Sequence, residues 1–156
     1  MDADIARHQI GNIGEEIVDF IYSRFGSKRS DDWYDAQKDG TIYIPWNKGR
    51  WLTQECKCMR LNNKYQEFWI NENQFHKLDN VDILFFIQVP ESLEDGLVLY
   101  RFKNHTTAFR VFNFKDRILR GYHIDNCKKI MTIHDKELVE EVFYSSKSIS
   151  TNSRFK

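Results

Sequence analysis

Apolar residues recur at helical spacing near the start of the chain. Ile10, Ile13, Ile17, Phe20, Ile21 and Phe25 form one stripe, which predicts a helix over roughly 3–25. Gly26 suits its end. The period then changes. In "WYDAQKDGTIYIP", Gly40, Ile42 and Ile44 fall on one face and Asp39, Thr41 and Tyr43 on the other. In "WLTQECKCM", Thr53, Glu55, Lys57 and Met59 share a face opposite Gln54, Cys56 and Cys58. Both segments read as strands. With "WNKGR" as a turn between them they form a hairpin.

Further on, "EFWI" reads as a short strand, and "NENQFHKLDN" as a short helix capped by Asn71 or Asn73. "VDILFFIQV" is nearly continuously apolar, the pattern of a strand buried on both faces. "LVLYRF", "TTAFRVFNF" and "KKIMTI" read as later strands, and a closing helix starts at Asp135. "SKRSDD" reads as loop. The pattern predicts one α/β domain over 1–146, with a mixed β-sheet flanked by helices, and a flexible tail over 147–156.

At 156 residues the chain suits a single core. Its 41% hydrophobic and 15% aromatic content favours folding over disorder. The 23 basic and 23 acidic side chains cancel, so net charge selects no partner. Their distribution is uneven. Arg101 to Lys129 holds eight Lys/Arg against Asp116 and Asp125, a local excess of six, which fits a polyanion. Three cysteines, no secretory pattern and no apolar run near ~18 residues predict a soluble, intracellular, cytoplasmic protein that does not enter a membrane.

The chemistry concentrates on the second hairpin strand. Asp39 begins the preceding strand on the face from which it approaches Glu55. Two converging carboxylates make an oxygen site for a hard divalent cation such as Mg²⁺. Lys57 beside them can stabilise charge on a pentavalent phosphate. Cys56 and Cys58 read as small buried residues against a helix. A zinc site of Cys56, Cys58 and Cys127 lacks a second ligand pair at suitable spacing. An HNH-type site from His123, Asn126 and His134 has its asparagine too near the first histidine. Trp46, Trp51 and Trp69 read as core rather than as base-stacking platforms.

"GEE" at 14–16, "KDG" at 38–40, "ECK" at 55–57 and "ENQFHKL" at 72–78 together resemble the PD-(D/E)xK nuclease superfamily, the restriction-endonuclease-like fold. The resemblance covers about residues 10–90; Lys38, not proline, precedes Asp39. It implies that Asp39, Glu55 and the main-chain carbonyl of Cys56 hold Mg²⁺, for which Mn²⁺ substitutes. Lys57 would be the motif lysine. A glutamate of the first helix, Glu15 by spacing or else Glu16, would complete the site. Asp35 is the alternative first carboxylate. Gln74 resembles a glutamine that lies near the metal or the scissile phosphate in several branches, whereas His76, two residues on, faces elsewhere.

The expected activity is Mg²⁺-dependent hydrolysis of DNA, double-stranded, by a homodimer or higher homo-oligomer. Lys48, Arg50, Arg60, Lys64, Arg101, Lys103 and Arg110 would hold the backbone. An RNA endonuclease on the same core, or an inactive nucleic-acid-binding module, are the rivals.

Overall fold

The computed structural model describes residues 3–22, 27–29, 40–44 and 50–153. Asp35, Lys38, Asp39, Trp46, Lys48 and Gly26 lie outside them, and the Arg50 side chain is likewise not described.

Helix α1 spans Ala3–Tyr22. Strands β1 (Ser27–Arg29), β2 (Gly40–Ile44) and β3 (Arg50–Met59) follow, then β4 (Glu67–Asn71), a 3-10 turn at Glu72–Gln74 and α2 (Phe75–Asp79). After β5 (Ile83–Gln88) come β6 (Leu97–Phe102), β7 (Arg110–Phe114), β8 (Arg117–His123), β9 (Cys127–Ile133) and α3 (Lys136–Ser153). The main sheet has the order β1-β2-β3-β5-β6-β9, and only β3 and β5 run parallel. A parallel pair needs a crossover. Here the crossover carries β4, which leaves for a separate three-stranded antiparallel sheet, β4-β8-β7, and α2.

Three layers result. Strand β5 lies in the middle one, and its alternation divides the core. Ile83, Phe85 and Ile87 pack with Ile13, Ile17 and Val18 of α1 and Val139 and Val142 of α3. Leu84 and Phe86 pack with Phe68, Ile70 and Tyr122 of the small sheet and with Leu78 of α2. Both faces of β5 are buried, as its apolar run predicts. Helix α1 approaches β3 closely at Gly14, where a Cβ would stand 3.3 Å from Cys56 Sγ and 3.7 Å from Cys58 Cβ. The cysteines therefore face the helix, and Cys56 is buried. Cys127 packs on the other core cluster, with the main sheet between, so the three thiols do not converge. His123 and His134 lie beyond opposite ends of β9, which likewise separates the HNH candidates.

The β2–β3 hairpin forms with Gly40 opposite Gln54 and Ile44 opposite Arg50. Asp135 caps α3, its Oδ1 accepting from Leu138 N at 3.0 Å. Three expectations change. Ser27–Arg29, expected as loop, adds an edge strand to β2. Arg117–His123, unassigned from sequence, is the central strand of the small sheet. Helix α3 continues to Ser153, past residue 146 where the tail was expected. Asn71 precedes the 3-10 turn but makes no side-chain cap bond. No helix among the described residues is long and apolar enough to cross a membrane.

Candidate functional site

Alternation along β3 puts Thr53, Glu55 and Lys57 on the face away from α1, toward the small sheet. Parallel pairing sets Glu55 beside Leu84 and Lys57 beside Phe86. The start of this pairing is locked by Asp82, whose Oδ2 accepts from Thr53 N at 2.9 Å and Thr53 Oγ1 at 3.1 Å. Asp82 N donates in return to Thr53 Oγ1 at 3.0 Å. That carboxylate is thus occupied in fixing the register two residues before Glu55.

Glu55 is 1% exposed. An ionised carboxylate at that depth needs compensation, and two ammonium groups supply it. Lys57 Nζ and Lys77 Nζ each lie 3.1 Å from Glu55 Oε1. Lys57 Nζ also donates to Gln74 Oε1 at 2.8 Å. The 3-10 turn and α2 thus bring Gln74 and Lys77 onto the Glu55–Lys57 face. Of the sequence-named candidates, Gln74 thus stands beside Lys57. Lys77 was not anticipated; its signal is the three-residue spacing from Gln74, which puts both on one side of a helical turn. His76 is exposed and faces elsewhere.

The second carboxylate oxygen is in a different state. Glu55 Oε2 is buried and has no hydrogen-bond partner among the described residues. A buried charged oxygen without a donor is costly. It is the kind of ligand a hard cation takes. One residue before Glu55 the β2–β3 ladder ends at Gly40–Gln54, and β2 lies on one side of β3 there. From Glu55 onward, that edge of β3 has no strand partner among the described residues. Gly40 directly follows Asp39 in the chain, and Gln54 directly precedes Glu55. Asp39 itself lies outside the described residues, among which no three His, Cys, Asp or Glu cluster.

Helix periodicity separates the two α1 glutamates. Glu16 is exposed and lines an apolar groove with Phe20, Met131 and Leu138, toward β9 and α3. Glu15 is half-buried and, at 100° per residue, flanks the apolar stripe on the side opposite Glu16. No family model, curated protein or solved structure matches this chain. The chemistry therefore rests on the geometry.

The basic candidates are dispersed. Arg101 and Lys103 line an open cleft of about 840 Å³ with Lys128, His105, Asp79 and Asp82. Arg101 stands directly opposite Lys128, a like-charge pair that an anion would relieve. Asp79 is neutralised by Arg120 at 2.7 and 2.9 Å. Arg60 Nε donates to Ser146 Oγ at 2.9 Å, tying β3 to α3. Lys64, in the turn before β4, and Arg110, on β7, belong elsewhere, at the small sheet. Arg110 grips Glu67 through NH2 to Oε1 at 2.7 Å and Nε to Oε2 at 3.2 Å. Trp69, expected in the core, is half-buried on that sheet's outer face, and Trp51 is 50% exposed.

Proposed function

We propose that this chain is a divalent-cation-dependent DNA endonuclease with a PD-(D/E)xK-type site on a restriction-endonuclease-like core. The observation that carries this reading is the buried Glu55 carboxylate. One of its oxygens is held by two lysines, the other has no hydrogen-bond partner among the described residues, and Glu55 itself directly follows the last residue of the β2–β3 ladder.

Glu55, Asp39, the Cys56 carbonyl and Glu15 are the groups that would hold Mg²⁺ or Mn²⁺. The ion, when bound, polarises the phosphate and lowers the pKa of water. The protein's own part is positional. Glu55 and Gln74 fix the Lys57 ammonium between them, so its charge is aimed before the phosphate gathers negative charge. Lys77 shares Oε1 and adds a second positive charge beside the buried Glu55 carboxylate. The cleft bearing Arg101, Lys103 and Lys128 lies beside Asp82 and would hold the backbone of the same strand. The described residues carry one such site, so a double-strand break would call for a homodimer.

Plasmid nicking with Mg²⁺, Mn²⁺ or EDTA, paired with gel shifts in Ca²⁺, tests the proposal. Asp39→Asn and Glu55→Gln are expected to abolish cleavage and retain binding. Lys57→Ala is expected to lose roughly 10²-fold in rate. Asp35→Asn and Glu16→Gln serve as controls. Wild-type rates in both Asp39→Asn and Lys57→Ala would refute the site. Duplex DNA, single-stranded DNA and RNA run side by side distinguish deoxyribonuclease from ribonuclease.

A further inference from the structure

The outer face of the small sheet carries a second concentration of chemistry. Cross-strand pairing places Trp69, Gly121 and Arg110 in one row, then Asn71, Leu119 and Phe112, with Phe114 opposite Arg117. Their chain neighbours Phe68, Ile70 and Tyr122 point the other way, into the core. Trp69, Phe112 and Phe114 therefore lie on the face turned from the main sheet, while α1 and α3 pack on the far side of that sheet.

An outward sheet face normally reads polar. Here four rings run in contact across it. Trp69 is 5.0 Å from Phe112, 5.3 Å from Phe114 and 5.9 Å from Tyr65, centroid to centroid. Tyr65 is 45% and Phe114 36% exposed, so flat ring surface is available. Cations alternate with the rings. The Arg110 guanidinium lies 4.0 Å from the Phe112 ring and 5.1 Å from Tyr65. Lys64 lies 5.3 Å from Tyr65, and Lys115 5.2 Å from Phe114. The acids facing them are Glu67, whose charge Arg110 takes up, and Asp116 in the β7–β8 turn.

That turn adds an independent sign. Lys115 and Asp116 both have positive φ, 50° and 62°. A two-residue hairpin turn of this kind favours Asn-Gly, and a lysine there carries a steric cost. The cost places an ammonium at the rim of the aromatic face.

Rings alternating with cations suit a chain of flat π-faces joined by phosphates. Bases offer their faces to protein rings only when unpaired. We propose that this face binds unpaired nucleic acid, with bases stacked on Tyr65, Trp69 and Phe114 and phosphates held by Lys64, Lys115 and Arg117. The proposal goes beyond phosphodiester cleavage and needs no catalysis at Glu55.

Fluorescence anisotropy in EDTA, with the full chain and labelled 12-nucleotide probes, tests it. The probes are a mixed-sequence DNA strand, its RNA counterpart, the matching duplex, and an abasic strand with the same phosphates. The intact strand is expected to bind at least about tenfold tighter than the duplex or the abasic strand. Tyr65→Ala and Phe114→Ala should each lose roughly tenfold on the intact strand and little on the abasic one. Lys115→Ala should weaken both alike and lower the salt slope by about one. The intact-versus-abasic comparison needs no variant, so misfolding of a variant cannot mask the answer. Equal binding of intact and abasic strands, absence of strand binding, or a self-association lost in Tyr65→Ala without strand binding would each overturn the proposal. The DNA and RNA arms identify the sugar. Plasmid cleavage in Mg²⁺ is scored separately, so this face and the Glu55 site fail independently.

Discussion

Replacing Lys77 by methionine keeps the aliphatic stem and deletes one charge from the Glu55 cluster. Lys77 Nζ stands 3.1 Å from Glu55 Oε1. At an effective dielectric of about 20, that attraction is roughly 5 kcal/mol. Lys57 is equally near the same oxygen, so the two ammonium groups are no more than roughly 6 Å apart and repel by about 3 kcal/mol on the same scale. Deleting Lys77 therefore loses a net of about 2 kcal/mol. Both lysines are under a fifth exposed, so solvent screens little of this. Deleting Lys57 as well leaves a charge at 1% exposure with no counter-charge among the described residues. This second step costs about 3–5 kcal/mol, more than the first. In a Glu55→Gln background the same double replacement should cost less, because only the Lys57–Gln74 hydrogen bond and Lys77's contacts apart from Glu55 are then lost.

Urea unfolding at pH 7 measures each term. In a thermal melt of the same variant, the single Lys77→Met change should lower Tm by roughly 4–8 °C. Equal, additive losses for the two lysines, or a full double loss in the Glu55→Gln background, would refute the shared-carboxylate account. A second arm tests the cation. With Lys77 gone, a divalent ion has less charge to compete with, so Mg²⁺ or Mn²⁺ should stabilise Lys77→Met more than wild type. The gain would reach about 2.7 kcal/mol at a hundredfold excess over Kd. If neither protein gains, the metal reading falls while the ion-pair account stands.

Three further outcomes are expected. Burial pushes the Cys58 and Cys127 thiols each up to about 12, so native alkylation at pH 7 should be slow and should accelerate on unfolding in urea. At Glu67, burial raises the carboxyl, but hydrogen bonds from Arg110 and Trp69 outweigh it and hold the group below its usual value. Its contribution is therefore complete above the unfolded glutamate value and is lost as pH falls through the lower folded one. Acid titration of Glu67→Gln by circular dichroism should show a shallower decline there. Replacing Lys115-Asp116 by Asn-Gly should raise stability by about 1–2 kcal/mol while weakening single-strand binding, measured by melting and anisotropy on one preparation.

The elements bearing the proposed site were legible because local rules specify them. Period-2 alternation places Glu55 and Lys57 together opposite Cys56 and Cys58, and this holds wherever the strand sits. The apolar run of β5 likewise announces a strand covered on both sides. Arg117–His123 was not legible. Its sequence "RILRGYH" carries arginines at its first and fourth positions and a glycine against which the Glu67 carboxylate lies, within 2.6 Å of where a Cβ would be. Its strand character comes from β4 and β7 on either side. The second face was hidden for the same reason. Trp69 reads as core because large rings usually bury; only the departure of β4 from the main sheet sets it beside Tyr65, Phe112 and Phe114. Lys77 illustrates the limit at the site itself. The sequence fixes its spacing from Gln74, but the bond to Glu55 depends on α2 folding back over β3, a contact between residues 22 apart. Side-chain periodicity is a property of the local backbone, whereas charge compensation and ring contact depend on which elements meet.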